Sequence, residues 1–402
     1  MQESHKKREA EREKLLREAR RLVVKVGTNT VTDANGDLCA GRVEPIVHSI
    51  AALMKAGRQV VLVSSGAVGL GRGWLGLHRS RLEDLATKQA CAAVGQSLLM
   101  DAYKRLFLRW EVKVAQVLLT EEDFTNWSRY SSLRRTMDKL LGFGVLPIVN
   151  ENDTVSTAEL ESLRQGSRTP VFSDNDRLAG LVMSGMEADA LVLLTNVDGL
   201  LGPSSNGGTG SDEAGEVIPL VPEITGELKA LGAGPSENGR GGMRTKLEAA
   251  EIAMNCGGAA VIANGNTGNA LERIFAGEKI GTTFLPMRRM RGKRRWIAYA
   301  ADVRGRVMVD AGAQRALTQG KASLLASGIV RVENAFASMD VVSIVDTEGR
   351  EFARGIANCA SDEVEKVSSE KRATKKGAKA AREAAPSLIL VRRDNIVVLQ
   401  PS

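Results

Sequence analysis

Short apolar runs alternate with segments of helical period from residue 22 to about residue 286. The apolar runs, which have the length and content of buried strands, are 22–26, 59–63, 113–119, 145–149, 190–194 and 259–263. Apolar positions recur at helical spacing in the stretches between them, at 43–55, in segments up to about 108, and at 128–141, 175–187 and 243–256. This alternation predicts an α/β fold, a mostly parallel sheet covered by helices on both faces.

The pattern changes beyond residue 287. Shorter apolar runs separated by turn residues occur at 306–309, 328–332, 340–345 and 395–399, and they predict a small, separate β-domain. A Lys/Ala-rich segment, 366–385, interrupts this domain as either a solvated helix or a disordered insert. The predicted divisions are a charged extension at 1–21, an α/β domain at 22–287, a basic linker at 288–295 and a β-domain at 296–402.

Composition narrows the class of protein. A chain of 402 residues with 43% hydrophobic and 26% charged residues is expected to form two or three soluble globular domains. No apolar stretch has the length of a membrane helix, so no membrane association is expected. The four cysteines are scattered through the chain, which favours neither a zinc site nor a disulfide framework. We therefore expect a cytoplasmic protein.

The net charge of +7 is unevenly distributed. Segments 1–21, 288–295 and 366–383 carry +3, +6 and +5, so the rest of the chain carries −7. Such basic runs occur in RNA-binding proteins, but solvated faces and linkers are the commoner explanation. The charge pattern therefore leaves RNA binding open.

Polar residues crowd together after the run 145–149. Asn150, Asn152 and Asp153 follow it directly, and a second cluster, Asp174-Asn-Asp176, comes about twenty residues later. Strand ends are where ligands bind in open α/β sheets, but Asn and Asp are also ordinary turn residues. Spacing alone does not separate a tight turn from a site.

Three further loops are candidate anion sites. Lys25-Val-Gly-Thr28 places a lysine at the tip of the first run, and Ser64-Ser-Gly-Ala67 follows the second run. Gly239-Arg-Gly-Gly-Met-Arg-Thr-Lys246 is glycine-rich and opens a helix, so its backbone N–H groups and lysine could hold a phosphate. Taken singly, a lysine at a strand end is more often simply exposed, and a bare Ser-Ser-Gly turn carries little information. The glycine-rich segment is equally readable as a mobile hinge.

The joint order of these motifs resembles the amino-acid kinase family. Lys-x-Gly-Thr, Ser-Ser-Gly-Ala, Asn-Glu-Asn-Asp, Asp-Asn-Asp, Leu-Thr-Asn-Val-Asp-Gly and Gly-Gly-Met-Arg-Thr-Lys follow one another as they do there. Within the family, Ile148–Asp153 and Gly241–Ala250 are most similar to the members that phosphorylate L-glutamate. Residues 296–400 resemble a PUA domain in four pieces: Ala311-Gly-Ala, Ser323-Leu-Leu, Gly328-Ile and Arg392-Arg-Asp-Asn395.

The resemblance implies a three-layer αβα sandwich followed by a small β-barrel-like PUA domain. It implies a reaction that transfers the γ-phosphoryl group of ATP to the side-chain carboxylate of L-glutamate, the first step of proline biosynthesis. A carboxylate is already ionised at neutral pH and needs no general base. The chain agrees with this chemistry, because none of its three histidines (His5, His48 and His78) lies in a candidate loop.

The resemblance also assigns roles to residues. Lys25 would contact the ATP phosphates, Lys246 would stabilise the transferring group, and Asp176 would hold both lysines in place. The residues assigned to glutamate are Ser65, Asp153, Asn175 and Asn150, with Asp153 suited to the α-ammonium group. The residues assigned to ATP are Lys25, Thr195, Asn196, Arg240, Gly241, Gly242, Met243, Arg244, Thr245 and Lys246. Mg²⁺ would bridge the phosphates, with no dedicated set of protein ligands to the metal.

Further expectations come from the family alone. They are feedback inhibition by proline, a homo-oligomer (a dimer or a tetramer), and a glutamate-5-phosphate reductase that takes up the product. Asn196 and Leu201 depart from the usual Asp and Tyr at the nucleotide edge, and Cys359 departs from a usual Tyr in the β-domain.

Two alternative functions remain. A kinase of the same fold could act on aspartate, carbamate or N-acetylglutamate, but it would not keep the Asn-Glu-Asn-Asp cluster. An RNA-binding protein dominated by the PUA-like domain is disfavoured by the low aromatic content of 4%, since recognition of single-stranded RNA relies on stacking side chains.

Overall fold

The computed structural model describes residues 2–78, 82, 84–120, 122–155, 175–202, 215–231, 242–287, 292–299, 301, 303–320, 322–366 and 388–399. The chain forms two compact units, one of Met1–Phe124 with Ser128–Arg289 and one of Thr125–Trp127 with Met290–Ser402. Each unit contains its own sheet and its own apolar core.

The described residues of the first unit form one eight-stranded sheet. Its strands are β1 Arg21–Val26, β2 Gln59–Ser64, β3 Val114–Leu119, β4 Leu146–Glu151, β5 Ala190–Thr195, β6 Leu220–Val221, β7 Ala259–Asn264 and β8 Thr282–Phe284. Their spatial order is β3-β4-β2-β1-β5-β7-β8-β6, and every pairing is parallel except that of β7 with β8. The prediction of a mostly parallel sheet is confirmed. The central strands are buried on both faces, which is why they read as continuous apolar runs.

Helices cover both faces of this sheet. They are α1 Gln2–Glu18, α2 Thr28–Val31, α3 Ala40–Lys55, α4 Ala67–Trp74, α5 Leu85–Leu108, α6 Glu122–Thr125, α7 Trp127–Gly142, α8 Asn175–Met186, α9 Gly226–Leu231, α10 Met243–Asn255 and α11 Ala270–Phe275. Leu22, Val24 and Val26 of β1 share a core with α1, α3, α5 and α11. Because side chains alternate along a strand, Val23 and Lys25 point to the opposite face, where α8 and α10 pack.

The charged extension at the N-terminus is a helix packed on the first unit. Leu16 and Ala19 are buried against its core. The guanidinium of Arg12 donates to the carbonyl oxygens of Gly277 at 2.7 Å and of Glu278 at 2.9 Å, so it satisfies acceptors just beyond the end of α11. The high charge of this segment gave no sign of such packing. None of the helices in the described part of the chain is long and apolar enough to cross a membrane.

The second unit is a six-stranded sheet in its described residues. Its strands and helices are α12 Gly292–Tyr299, β9 Val303–Val309, α13 Ala311–Thr318, β10 Leu324–Leu325, β11 Ile329–Glu333, β12 Val341–Val345, β13 Glu351–Ala357 and β14 Ile389–Val398. The spatial order is β10-β14-β13-β12-β9-β11, with β9 and β12 parallel and the other pairs antiparallel.

Three features of this unit differ from the sequence expectations. β13 was not predicted, because its Glu, Arg and Gly residues weaken the strand signal. α13 was not predicted either; it is a two-turn helix whose N-cap, Asp310, accepts from the backbone N–H of Ala313 at 2.7 Å. Part of the expected basic linker lies in α12, where Arg295 is fully buried. The segment 367–387, which holds nearly all of the Lys/Ala-rich insert, lies outside the described residues.

Two helices of the first unit approach each other at their backbones. A Cβ atom on Gly95 of α5 would lie 1.7 Å from the carbonyl oxygen of Ala67, the first residue of α4. A Cβ atom on Gly71 of α4 would lie 1.8 Å from the carbonyl oxygen of Cys91 of α5. Since no side chain fits at either position, glycine is required for α5 to pack this closely against the start of α4.

We predict that Gly95→Ala lowers the free energy of unfolding by roughly 1–3 kcal/mol, because the added methyl group forces the two helices apart. Chemical denaturation measures the change. Gly41→Ala is the matched control, since a Cβ at that helical position would meet no atom outside its own stretch of helix within 4 Å. The control should be neutral or stabilising by up to about 1 kcal/mol. Equal effects of the two substitutions would contradict the close approach.

Candidate active site

The carboxyl ends of four parallel strands bring polar side chains to one edge of the first sheet. Lys25 lies near the end of β1, Ser65 follows β2, Asn150 lies in β4, and Thr195 ends β5. All four residues are at most 9% exposed although they are polar. Since β1 pairs with β2 on one side and β5 on the other, the chain order reverses here, and such switch points are where open α/β sheets bind ligands.

A buried carboxylate joins two lysines at this edge. Asp176, in the first turn of α8, is fully buried. Its Oδ1 lies 2.7 Å from Nζ of Lys25, and its Oδ2 lies 3.1 Å from Nζ of Lys246. The hydroxyl of Thr245 donates to the same Oδ2 at 3.0 Å. β1, α8 and α10 therefore meet at a single carboxylate.

The charges of this cluster keep Asp176 ionised. Burial alone would raise the pKa of Asp176, but the charges and hydrogen bonds of Lys25 and Lys246 outweigh burial and hold that pKa far below its ordinary value. With both lysines charged, two cations face one anion. The cluster thus carries a net positive charge in a buried place, where it can attract an anionic ligand.

The first turn of α10 lies beside the same cluster. Gly242 is its N-cap and provides no side chain to cap the helix, while the Thr245 hydroxyl contacts the Gly242 carbonyl oxygen at 2.9 Å. The N–H groups at the start of a helix are directed outward and favour anions. Met243 is half-buried. Arg244 is exposed, and its Nε lies 3.6 Å from Oε1 of Glu248.

Arg240 and Gly241, which were assigned to ATP, lie outside the described residues. Thr195 is buried and its hydroxyl contacts Oδ1 of Asn196 at 3.3 Å, whereas Asn196 itself is exposed. The structure thus brings Lys25, Asp176, Thr245 and Lys246 together through direct contacts. It places Thr195 and Asn196 at the end of the neighbouring strand β5.

A neutral polar cluster adjoins the charged one. Nδ2 of Asn175 lies 2.8 Å from Oγ of Ser65, 2.9 Å from Oδ1 of Asn150 and 3.3 Å from the carbonyl oxygen of Ser64. Three of the four residues assigned to glutamate are therefore joined by one amide group. Asp153 is half-buried in the turn after β4. β4 extends to Glu151, so Asn150 lies inside the strand, whereas the sequence pattern placed the strand end at residue 149.

One contact of this cluster was missed from the sequence. Nδ2 of Asn150 donates to Oε1 of Gln96 at 2.9 Å, and both side chains are buried. Gln96 lies in the middle of α5, away from every strand-end motif. In the sequence, the only sign of this contact is a glutamine beside a glycine in an otherwise apolar helical stretch. Many exposed helix positions show the same pattern, so the contact could not be predicted.

Comparison with known proteins gives both units a family. Residues 20–264 match the family model of the amino acid kinase family, and residues 305–376 match the model of the PUA domain. The chain is 45% identical to a glutamate 5-kinase from Caldanaerobacter subterraneus subsp. tengcongensis, over 86% of this chain and 90% of that protein. It is also 45% identical to a glutamate 5-kinase from Moorella thermoacetica, over 89% and 91%.

A third glutamate 5-kinase, from Myxococcus xanthus, is 44% identical over 88% of this chain and 90% of that one. Because these three matches cover most of the chain, the similarity to the sequence relatives extends through both units.

Among solved structures, a UMP kinase from Bacillus anthracis is similar with a TM-score of 0.44 and 15% identity, over 66% of this chain and 96% of that chain.

We predict that Asp176→Asn lowers the free energy of unfolding by about 3 kcal/mol or more, because it leaves two buried lysines without their counter-ion. The measurement is urea denaturation near neutral pH. A group with a depressed pKa stabilises the fold above its ordinary pKa, and this contribution is lost as the pH falls through the folded-state pKa. The variant should therefore lose part of the stability change that wild type shows on acidification.

The matched control for this prediction is Asp101→Asn. Asp101 forms an exposed ion pair with Arg105, and removing such a pair should change stability by no more than about 1 kcal/mol. If Asp176→Asn is as mild as the control, the buried carboxylate does not hold the three elements together.

Proposed function

The chain belongs to the amino acid kinase family, and we propose that it is a glutamate 5-kinase that transfers the γ-phosphoryl group of ATP to the side-chain carboxylate of L-glutamate. The product would be L-glutamyl 5-phosphate. The observation that carries the proposal is the pairing of a buried cationic cluster with a neutral amide cluster at the same strand ends. The first suits a phosphate group, and the second suits an amino acid.

The chemistry requires charge rather than a base. A side-chain carboxylate of ordinary pKa is ionised at neutral pH, so the nucleophile needs no proton acceptor. The obstacle is that two anions must meet: at about 4 Å they repel by roughly 1 kcal/mol in water and by severalfold more in a protein site. Two buried ammonium groups that share a single carboxylate offset this repulsion, and such fixed charges are the main part of phosphoryl-transfer catalysis.

In this proposal Lys25 contacts the ATP phosphates and Lys246 stabilises the transferring group. Asp176 touches neither substrate; it is a positioning residue that holds both ammonium groups. Its two oxygens face different lysines, so the distance between the two cations is set by one rigid carboxylate. Fixing the charges before the substrates arrive lowers the cost of reorganisation during the reaction.

Glutamate would lie against the amide cluster. Ser65, Asn150 and Asn175 offer hydroxyl and amide groups for hydrogen bonds, and their mutual contacts keep them in place. Asp153, three residues after Asn150, is assigned to the α-ammonium group. Asn175 and Asp176 are neighbours in the chain, which places the bound acid beside the lysines.

ATP would bind along Thr195, Asn196 and the segment from Arg240 to Lys246. Mg²⁺ prefers phosphate and water oxygens and keeps near-octahedral geometry. No group of three or more His, Cys, Asp or Glu side chains suited to a metal occurs in the described part of the chain. In this proposal Mg²⁺ would bridge the nucleotide phosphates. Feedback inhibition by proline, homo-oligomerisation, and transfer of the product to a reductase follow from the family alone and stay predictions.

We predict that the protein releases ADP with L-glutamate and at most weakly with aspartate or N-acetylglutamate. Hydroxylamine added to the reaction should trap the acyl phosphate as a hydroxamate. Omitting the acid gives the background rate of ATP hydrolysis. Equal turnover of the three acids, or no turnover of glutamate, would contradict the proposed function.

We predict that Lys246→Ala lowers kcat by about 10²–10³-fold while the KM for glutamate changes little, because the lost ammonium group acts on the transferring phosphoryl group. Steady-state kinetics measures both constants. Lys229→Ala is the matched control, since Lys229 forms a half-exposed ion pair with Glu251 on the surface. A kcat near that of the control would show that Lys246 has no catalytic role.

A further inference from the structure

Gln96 brings a buried amide to the neutral cluster. Its side chain lies on α5 and is only 8% exposed, and its Oε1 accepts from Nδ2 of Asn150 at 2.9 Å. A buried amide without hydrogen bonds is costly, so buried polar side chains are almost always fully paired. Only one end of this amide is paired by the described residues.

A backbone carbonyl fixes which end is paired. The carbonyl oxygen of Ser64 can only accept, so the atom of Asn175 that lies 3.3 Å from it must be the NH₂ group. That same NH₂ group lies 2.9 Å from the side-chain amide of Asn150, so the nearer atom of Asn150 must be its oxygen, Oδ1. The NH₂ group of Asn150 is then directed towards Gln96. Gln96 must then present Oε1 to Asn150. The direction of all three amides follows from one carbonyl group.

The unpaired end of Gln96 is therefore a donor. Its Nε2 is fully buried and has no acceptor among the described residues. Leaving such a donor unsatisfied costs about 1–3 kcal/mol, and the cost disappears when a ligand supplies the acceptor. Asn150 and Asn175, which continue the same hydrogen-bonded chain to Ser65, are residues of the proposed glutamate site.

We infer that Gln96 is a further residue of the acid-binding site: its Oε1 orients Asn150, and its Nε2 donates to a carboxylate oxygen of the bound amino acid. The inference rests on the proposed function and names a contact beyond it. Gln96 takes no part in the transfer itself, so its effect falls on binding of the acid rather than on the rate of the bound complex.

The rest of α5 supports this placement. Tyr103 lies two turns further along, on the same side of the helix, and its hydroxyl is 2.8 Å from Oγ of Ser64. Burial raises the pKa of Tyr103 to about 12, so the hydroxyl stays neutral. α5 thus contacts the ends of both β2 and β4, and Gly95, next to Gln96, permits its close approach to α4. The helix therefore holds two strand ends in a fixed relation.

The test is Gln96→Glu in the full-length chain. The new side chain still accepts from Asn150, but its second oxygen replaces the donor and repels a carboxylate. We expect the KM for glutamate to rise about tenfold or more near neutral pH, while the KM for ATP stays close to that of wild type. The Tm should fall near neutral pH, because the introduced carboxylate is buried without a partner. Burial raises the pKa of a carboxyl group, so lowering the pH should protonate the introduced carboxylate, restore an O–H donor and bring the KM back towards that of wild type.

Two further variants complete the test. Gln96→Met is neutral and similar in size, and it should raise the KM for glutamate without recovery at low pH. It also decides the matter if the Gln96→Glu variant does not fold. Ser97→Glu adds the same charge on the exposed side of α5 and should behave as wild type.

Three outcomes overturn the inference. An unchanged KM for glutamate in the folded Gln96 variants shows that the residue does not bind the acid. A lower Tm with an unchanged KM shows that its role is only structural. If wild type itself does not turn over glutamate, the proposed function fails first and the inference fails with it. An active wild type beside unchanged variants overturns Gln96 alone.

Discussion

The arrangement of the first unit depends on one fully buried carboxylate. Neither Lys25 nor Lys246 could be buried at low cost by itself, and together they would repel each other. Asp176 makes both burials tolerable, because each of its oxygens pairs with one ammonium group. Two lysines that lie far apart in the chain are thereby fixed to the start of α8. The cluster keeps a net positive charge, and that remaining charge is what a phosphate group can use.

A single step along the backbone connects this charged cluster to the neutral one. Asp176 contacts the two lysines, and Asn175, the residue before it, contacts Ser65 and Asn150. Neighbouring Cα atoms are about 3.8 Å apart, so the two clusters cannot drift relative to each other. In the proposed reaction the direct link between Asn175 and Asp176 sets the distance between the acceptor carboxylate and the phosphoryl group. Misplacement by about 1 Å is enough to slow such a transfer. In that proposal the start of α8 therefore orients both substrates.

The sequence predicted the parts of this unit that depend on local patterns. Buried parallel strands read as apolar runs, and the polar residues Lys25 and Ser65 lie at the ends of these strands, as expected. Family resemblance, not spacing, assigned Asp176 to the lysines. Contacts made by remote residues were not predictable: Arg12 reads as one charge among many, yet it binds the carbonyl groups of Gly277 and Glu278. Strand and helix signals also failed where composition was mixed, as in β13, or where the helix was short, as in α13.

The neutral side of the site explains how one fold could select a particular acid. Lysines attract any carboxylate, so they cannot distinguish glutamate from a shorter acid. In the proposed site the buried amide of Gln96 can, because an acid that fails to reach it leaves its buried Nε2 without an acceptor, and such losses discriminate strongly. In the proposed reaction, charge therefore serves the transfer, while the amide chain that begins at the Ser64 carbonyl serves the choice of substrate.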